Sequence, residues 1–226
     1  MQLEVRGDNW TDENILCYLD WLNYVIDTDI KEFFDNNITY FLDDLYLLGN
    51  YERFGRRYRS YRPYMLSLMS VHPTCTAGRM LCVRCGDLSI APCHRTSYEK
   101  FLFGQYIVEN NEIVGAKAKN ISLMNAWYRT GNSNKPKCDT CALNKMCIKG
   151  CMGAQLENTG ELFYPDEKTC NFFFAKYTFL INKYEKLGLF NYEPFLQEKQ
   201  DLISVINAFK QTKEYQIWTK FIQQIF

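Results

Sequence analysis

The chain has 226 residues, 26 basic against 26 acidic side chains, and 47% hydrophobic residues with 12 Gly and 6 Pro. That composition provides apolar material for one or two packed domains, and excludes wholesale disorder and a collagen-like fibre. No stretch approaches the ~18 uncharged apolar residues that span a bilayer, and Met1 leads into Gln2-Leu3-Glu4-Val5-Arg6 rather than a signal segment, so a cytoplasmic chain with no membrane contact is expected.

After a short strand-like opening at residues 2–6, the spacing predicts a helix over residues 12–27. Its buried face would be Ile15, Tyr18, Leu19, Leu22, Val25 and Ile26, with Thr11 as N-cap and Asp12 and Glu13 in the first turn. Cys17 reads as an ordinary packed thiol. A second helical pattern runs over residues 30–48, with Phe34, Phe41, Leu45 and Leu48 as its stripe and Gly49 as its stop. Residues 1–50 carry eleven acids against Arg6 and Lys31 alone. Asp43 and Asp44 are adjacent and point in different directions on a helix, so they form no catalytic pair.

Arg53, Arg56, Arg57, Arg59 and Arg62, interleaved with Phe54, Tyr58, Tyr61 and Tyr64, form the one strongly basic stretch. Arginines beside aromatics can grip phosphates and stack on bases. With zero net charge and no basic helix to extend the patch, a connector facing the acidic first fifty residues is the preferred reading, and nucleic acid is not expected as a partner.

Alternation replaces helical spacing at residues 79–95, where Gly86 in the tip Cys85-Gly86-Asp87 predicts a β-hairpin. A further hairpin is predicted at residues 105–121, turning at Glu109-Asn110-Asn111, and residues 131–137 read as a loop. Helices follow over residues 172–187, closed by Gly188, and over residues 202–226. His72, before Pro73, reads as connector.

Ten cysteines are present, and nine of them fall between residues 75 and 170. Such density without a secretion signal favours metal over a disulfide framework, and an odd count leaves one thiol over from closed pairing. Cys138-x2-Cys141-x5-Cys147-x3-Cys151 is followed, after eighteen intervening residues, by Cys170, and preceded by Cys75, Cys82, Cys85 and Cys93. Zinc takes four ligands in a tetrahedron, usually as two separated pairs, whereas an iron–sulfur cluster accepts four thiolates from distant segments. Nine cysteines suffice for two four-ligand sites. In the economical division Cys138, Cys141, Cys147 and Cys170 serve one, and Cys151 joins three upstream cysteines in the other.

This run, with Cys75-Thr76-Ala77-Gly78, Pro92-Cys93, Gly150-Cys151-Met152-Gly153-Ala154 and Ile121-Ser122-Leu123-Met124-Asn125-Ala126-Trp127, resembles the SPASM domain over roughly residues 72–175. That domain is the auxiliary iron–sulfur extension of many radical S-adenosylmethionine (SAM) enzymes that modify peptides and proteins. The resemblance implies two [4Fe-4S] clusters, one on Cys75, Cys82, Cys93 and Cys151 and one on Cys138, Cys141, Cys147 and Cys170, with Cys85 a competitor to Cys82. An acidic residue acting as base follows the corresponding cysteine in sulfatase-maturing relatives, which makes His94 a candidate proton acceptor, with a surface or loop-packing histidine the preferred reading.

The C-x3-C-x2-C motif that holds the SAM-binding cluster has no counterpart here, and only Cys17 lies upstream of Cys75. Residues 1–70 resemble at most the end of a radical SAM barrel, which needs about 200 residues or more. The expectation is thus an α+β chain with a helical segment (1–70, a candidate barrel remnant), a SPASM-like domain with a β-hairpin (71–175) and C-terminal helices (176–226). It would serve as the C-terminal part or partner of a radical SAM enzyme acting on a peptide or protein, with a separate barrel subunit supplying SAM, and would not be active alone. The alternative is a zinc-stabilised interaction protein without redox activity.

Overall fold

A computed structural model describes residues 10–36, 81–130, 136–144, 147, 151–162, 164–188 and 200–225. The strand at residues 2–6, the helix expected beyond residue 36, the arginine–tyrosine stretch, His72 and Cys75 lie outside these residues. The described chain is α+β, and its four strands form one antiparallel sheet in the order β1-β2-β3-β4. Among the described residues no helix is long and apolar enough to cross a membrane.

Two compact units divide the chain. The first draws on Met1–Tyr64, Thr140–Cys147 and Glu167–Phe226, and the second on Met65–Asp139 and Ile148–Asp166. Helix residues 15–26, Leu143 and residues of the last three helices share one core in the first unit.

In the first unit, helix α1 (Asp12–Asn36) starts where Thr11 accepts a hydrogen bond from the Asn14 amide at 3.2 Å. All six residues of its predicted face are buried. Cys17 is exposed, a correction to the packed thiol expected: two residues past Ile15, it is rotated about 200° from the buried stripe. Nor does the helix stop at residue 27. Neither Gly nor Pro interrupts residues 27–31, and Thr28 donates its hydroxyl to the Tyr24 carbonyl at 2.9 Å, so the two predicted helices run together.

Helix α5 (Glu167–Lys186) supplies the densest part of this core, including Phe172, Tyr177, Leu180 and Tyr184, and Gly188 follows it with φ 70°. The Phe172 ring lies 4.3 Å from Trp10 and 5.0 Å from Tyr18, tying α1 to α5. Lys183 of α5 pairs with Asp27 of α1 at 2.6 Å. The single C-terminal helix expected is two, α6 (Gln200–Lys210) and α7 (Lys213–Gln223). Thr212 causes the break: its hydroxyl donates to the Phe209 carbonyl at 2.7 Å and accepts from the Tyr215 amide at 3.3 Å, ending one helix and capping the next.

The second unit contains the sheet, β1 (Cys82–Arg84), β2 (Ser89–Ala91), β3 (Gly104–Glu109) and β4 (Glu112–Ala118), with helices α2 (Ile121–Thr130), α3 (Pro136–Asp139) and α4 (Met152–Thr159). Both predicted hairpins are present. Asn110 and Asn111 turn the second with φ 50° and 66°, the paired left-handed residues of a tight two-residue connection. In the first hairpin the left-handed residue is Leu88 (φ 57°) rather than Gly86. Asp87 fixes that tip, accepting from Arg84 Nε at 2.9 Å and from the Ser89 amide at 3.1 Å. Ile90, Phe101, Phe103, Trp127, Met152, Leu156 and Leu162 form the core, which puts β2, α2 and the first turn of α4 on one apolar cluster.

Candidate metal centre

The first expected ligand set is built on the base of the β1–β2 hairpin and the start of α4. Cys82 faces Ala91 across the ladder, and Cys93 follows two residues later in extended conformation (φ −158°, ψ 170°) after the buried Pro92. Both cysteines are half-buried. Cys85 sits in the exposed tip. Strand residues advance ~3.4 Å each, so Cys85 stands about 10 Å further than Cys82 from the end of the ribbon where Cys93 lies.

Cys151 is the N-cap of α4, and its sulfur accepts from the Ala154 amide at 3.5 Å. Its carbonyl takes the Gln155 amide at 2.9 Å, the first intrahelical bond. The preceding amides of the first turn have no acceptor within the helix, so this end favours negative charge.

Cys93 meets the same end of α4. A Cβ added to Gly153 would stand 3.3 Å from the Cys93 sulfur, 3.2 Å from Thr96 Cγ2 and 3.4 Å from Arg95 Cδ. A methyl group here would press on all three neighbours, which would have to give by a few tenths of an ångström. Two further contacts hold that segment. Thr96 Oγ1 lies 3.3 Å from the Cys93 sulfur, and Arg95 Nε donates to Glu157 Oε2 at 2.8 Å with the Arg95 side chain only 6% exposed. Thus Cys93 and Cys151, 58 residues apart in sequence, belong to one structural element of the second unit.

His94 is exposed. It occupies the first position of the short 3-10 turn His94–Thr96, between the Cys93 and Arg95 anchors.

Of the second expected set, Cys141 and Cys147 pack against the core of the first unit on either side of the buried Leu143. The Asn144 amide donates to the Cys141 carbonyl at 2.9 Å and the Cys147 amide to the Leu143 carbonyl at 2.7 Å. Cys170 lies in the first turn of α5, half-buried in the same unit. Its neighbour Asn171 is fixed on both sides, donating to Asp12 Oδ1 at 3.1 Å and accepting from Trp218 Nε1 at 3.0 Å. Cys138 is buried on α3, in the second unit.

Among the described residues, no three His, Cys, Asp or Glu side chains converge tightly enough to hold a single metal ion. A cubane cluster makes a different demand, because its four thiolates bind four separate irons and stand further apart than ligands of one ion. The chemistry of the described donors fits such a group in kind: sulfur ligands, a helix end that favours their negative charge, and a glycine beside one sulfur. Cys75, the fourth member of the first set, lies outside the described residues.

Sequence reasoning did not single out Thr96, Arg95 or Glu157. Their roles depend on the 3-10 turn folding onto α4, and no spacing rule signals that contact. Gly153 stood inside the quoted run 150–154, but without a physical reason attached to it. No family model, curated protein or solved structure matches the chain.

Proposed function

We propose that the chain binds two auxiliary [4Fe-4S] clusters in a SPASM-like arrangement, through Cys75, Cys82, Cys93 and Cys151 and through Cys138, Cys141, Cys147 and Cys170. It would act in the cytoplasm as the C-terminal part or partner of a radical SAM enzyme that modifies a peptide or protein. The observation that carries this reading is the seating of Cys93 on Gly153 at the start of α4, two residues beyond Cys151. A zinc staple on the same thiols would bring these segments together equally well, and metal and sulfide content separates the two readings.

Bound clusters supply one-electron transfer or a substrate-orienting surface, with a potential set by hydrogen bonds to sulfur and by solvent access. The chain's own residues prepare the site: Cys151 caps α4, the Ala154 amide donates to its sulfur, and the Arg95–Glu157 pair anchors the turn that carries Cys93. With no C-x3-C-x2-C motif in the sequence, reductive cleavage of SAM falls to a partner barrel.

Purification without oxygen tests the proposal. Two cubanes predict brown protein with about eight irons and eight sulfides per chain. Colourless protein carrying stoichiometric zinc refutes it and establishes the zinc-stabilised alternative.

A further inference from the structure

The Thr96 hydroxyl is fully buried, 3.3 Å from the Cys93 sulfur and 3.4 Å from the Cys93 carbonyl oxygen. Its methyl group faces Gly153, where an added Cβ would approach to 3.2 Å, so the β-branched side chain is held with its oxygen towards Cys93. A hydroxyl has one hydrogen to give and a choice of two acceptors here. A free thiol can donate to Thr96 Oγ1, leaving the hydroxyl hydrogen for the carbonyl. A sulfur bound to iron has no hydrogen and accepts only, so its contact with Thr96 requires the hydroxyl to be the donor.

We propose that Thr96 gives its hydrogen to the Cys93 sulfur when that sulfur carries iron, and thereby tunes the reduction potential of the cluster bound there. This rests on the reading of Cys93 as a cluster ligand. Thr96 acts through Cys93, as a positioning residue. Reduction adds negative charge that spreads onto the sulfurs, and a donor aimed at one of them favours the reduced state. The bond forms in both oxidation states and only its strengthening on reduction counts, so its loss is expected to lower the reduced-to-oxidised ratio by up to about tenfold.

The test uses the full chain, loaded with iron and sulfide in the absence of oxygen and titrated with dithionite while the reduced clusters are followed by electron paramagnetic resonance. Thr96→Ser keeps the hydroxyl and should leave both midpoints unchanged. Thr96→Val replaces it with a methyl group of the same shape, and should move one midpoint negative by up to about 59 mV, the one-electron equivalent of tenfold, with the other unmoved. Thr96→Ala removes the hydroxyl without adding bulk and should shift in the same direction, which decides the matter if the valine variant does not fold. Fully loaded Val or Ala variants with parental midpoints overturn the role of Thr96 while leaving the cluster reading intact. Failure of the parent to take up iron and sulfide overturns that reading and, with it, the role of Thr96.

Discussion

The Cys93 sulfur lies 3.3 Å from the point a Cβ on Gly153 would occupy. Whether an added methyl group helps or harms depends on whether its neighbours can yield. Exchanging a helical Gly for Ala gains up to ~1 kcal/mol in propensity, and overpacking a filled site costs ~1–3 kcal/mol. The neighbours here cannot move freely, since Thr96 is fully buried and Arg95 is tied to Glu157. Gly153→Ala is therefore expected to destabilise the chain by about 1 kcal/mol in urea unfolding, and to lower iron retention at one site. An alanine variant as stable as the parent would show the crowding to be absent.

The Arg95–Glu157 pair should respond asymmetrically to loss of its members. Arg95 is 6% exposed and Glu157 22%, so Glu157→Ala leaves a charge inside the protein whereas Arg95→Met leaves a carboxylate that can reach water. We expect both changes to destabilise, the glutamate change more, by ~1–3 kcal/mol, seen as a shifted denaturation midpoint with unchanged slope. Equal losses would mean that solvent reaches both groups alike.

Periodicity made α1 legible because one complete face is buried: Ile15, Leu19, Leu22 and Ile26 follow helical spacing without interruption. The same rule could not separate α6 from α7, since the apolar stripe continues across Thr212 and only a side-chain cap divides them. It also divided α1 in the wrong place, where a change of pattern near Asp27 is not a helix breaker. At the candidate centre, cysteine spacing identified the sulfur-bearing positions, but it carries no information on what holds them. The buried ion pair and the Thr96 contact arise from a turn packing on a helix far away in sequence.

Single cysteine replacements separate the two proposed clusters. Cys93→Ala and Cys141→Ala should each reduce iron from about eight to about four atoms per chain, with the spectrum of the surviving cluster retained. Cys17→Ala and Cys85→Ala should leave the full complement, since Cys17 lies on the exposed side of α1 and Cys85 in the tip of the first hairpin. Loss of iron in Cys85→Ala but not in Cys82→Ala would exchange those two residues in the ligand set.

Acid should loosen the β1–β2 hairpin at its tip. Arg84 donates to both oxygens of Asp87, and this bond holds the carboxyl well below its ordinary range; the Ser89 amide adds to the effect, and desolvation opposes it. A depressed folded-state value contributes stability that is complete above the unfolded value of about 4 and is lost as pH falls below it towards the folded value. The parent should therefore lose more stability than Asp87→Asn between pH 4 and 2, with a larger fall in amide protection, relative to the intrinsic exchange rate at each pH, at Leu88 and Ser89. Because the Arg84 and Asp87 side chains are each 37% exposed, raised salt should narrow the difference between parent and variant. Parallel acid profiles for the two proteins would mean that the tip keeps its form without the carboxylate charge.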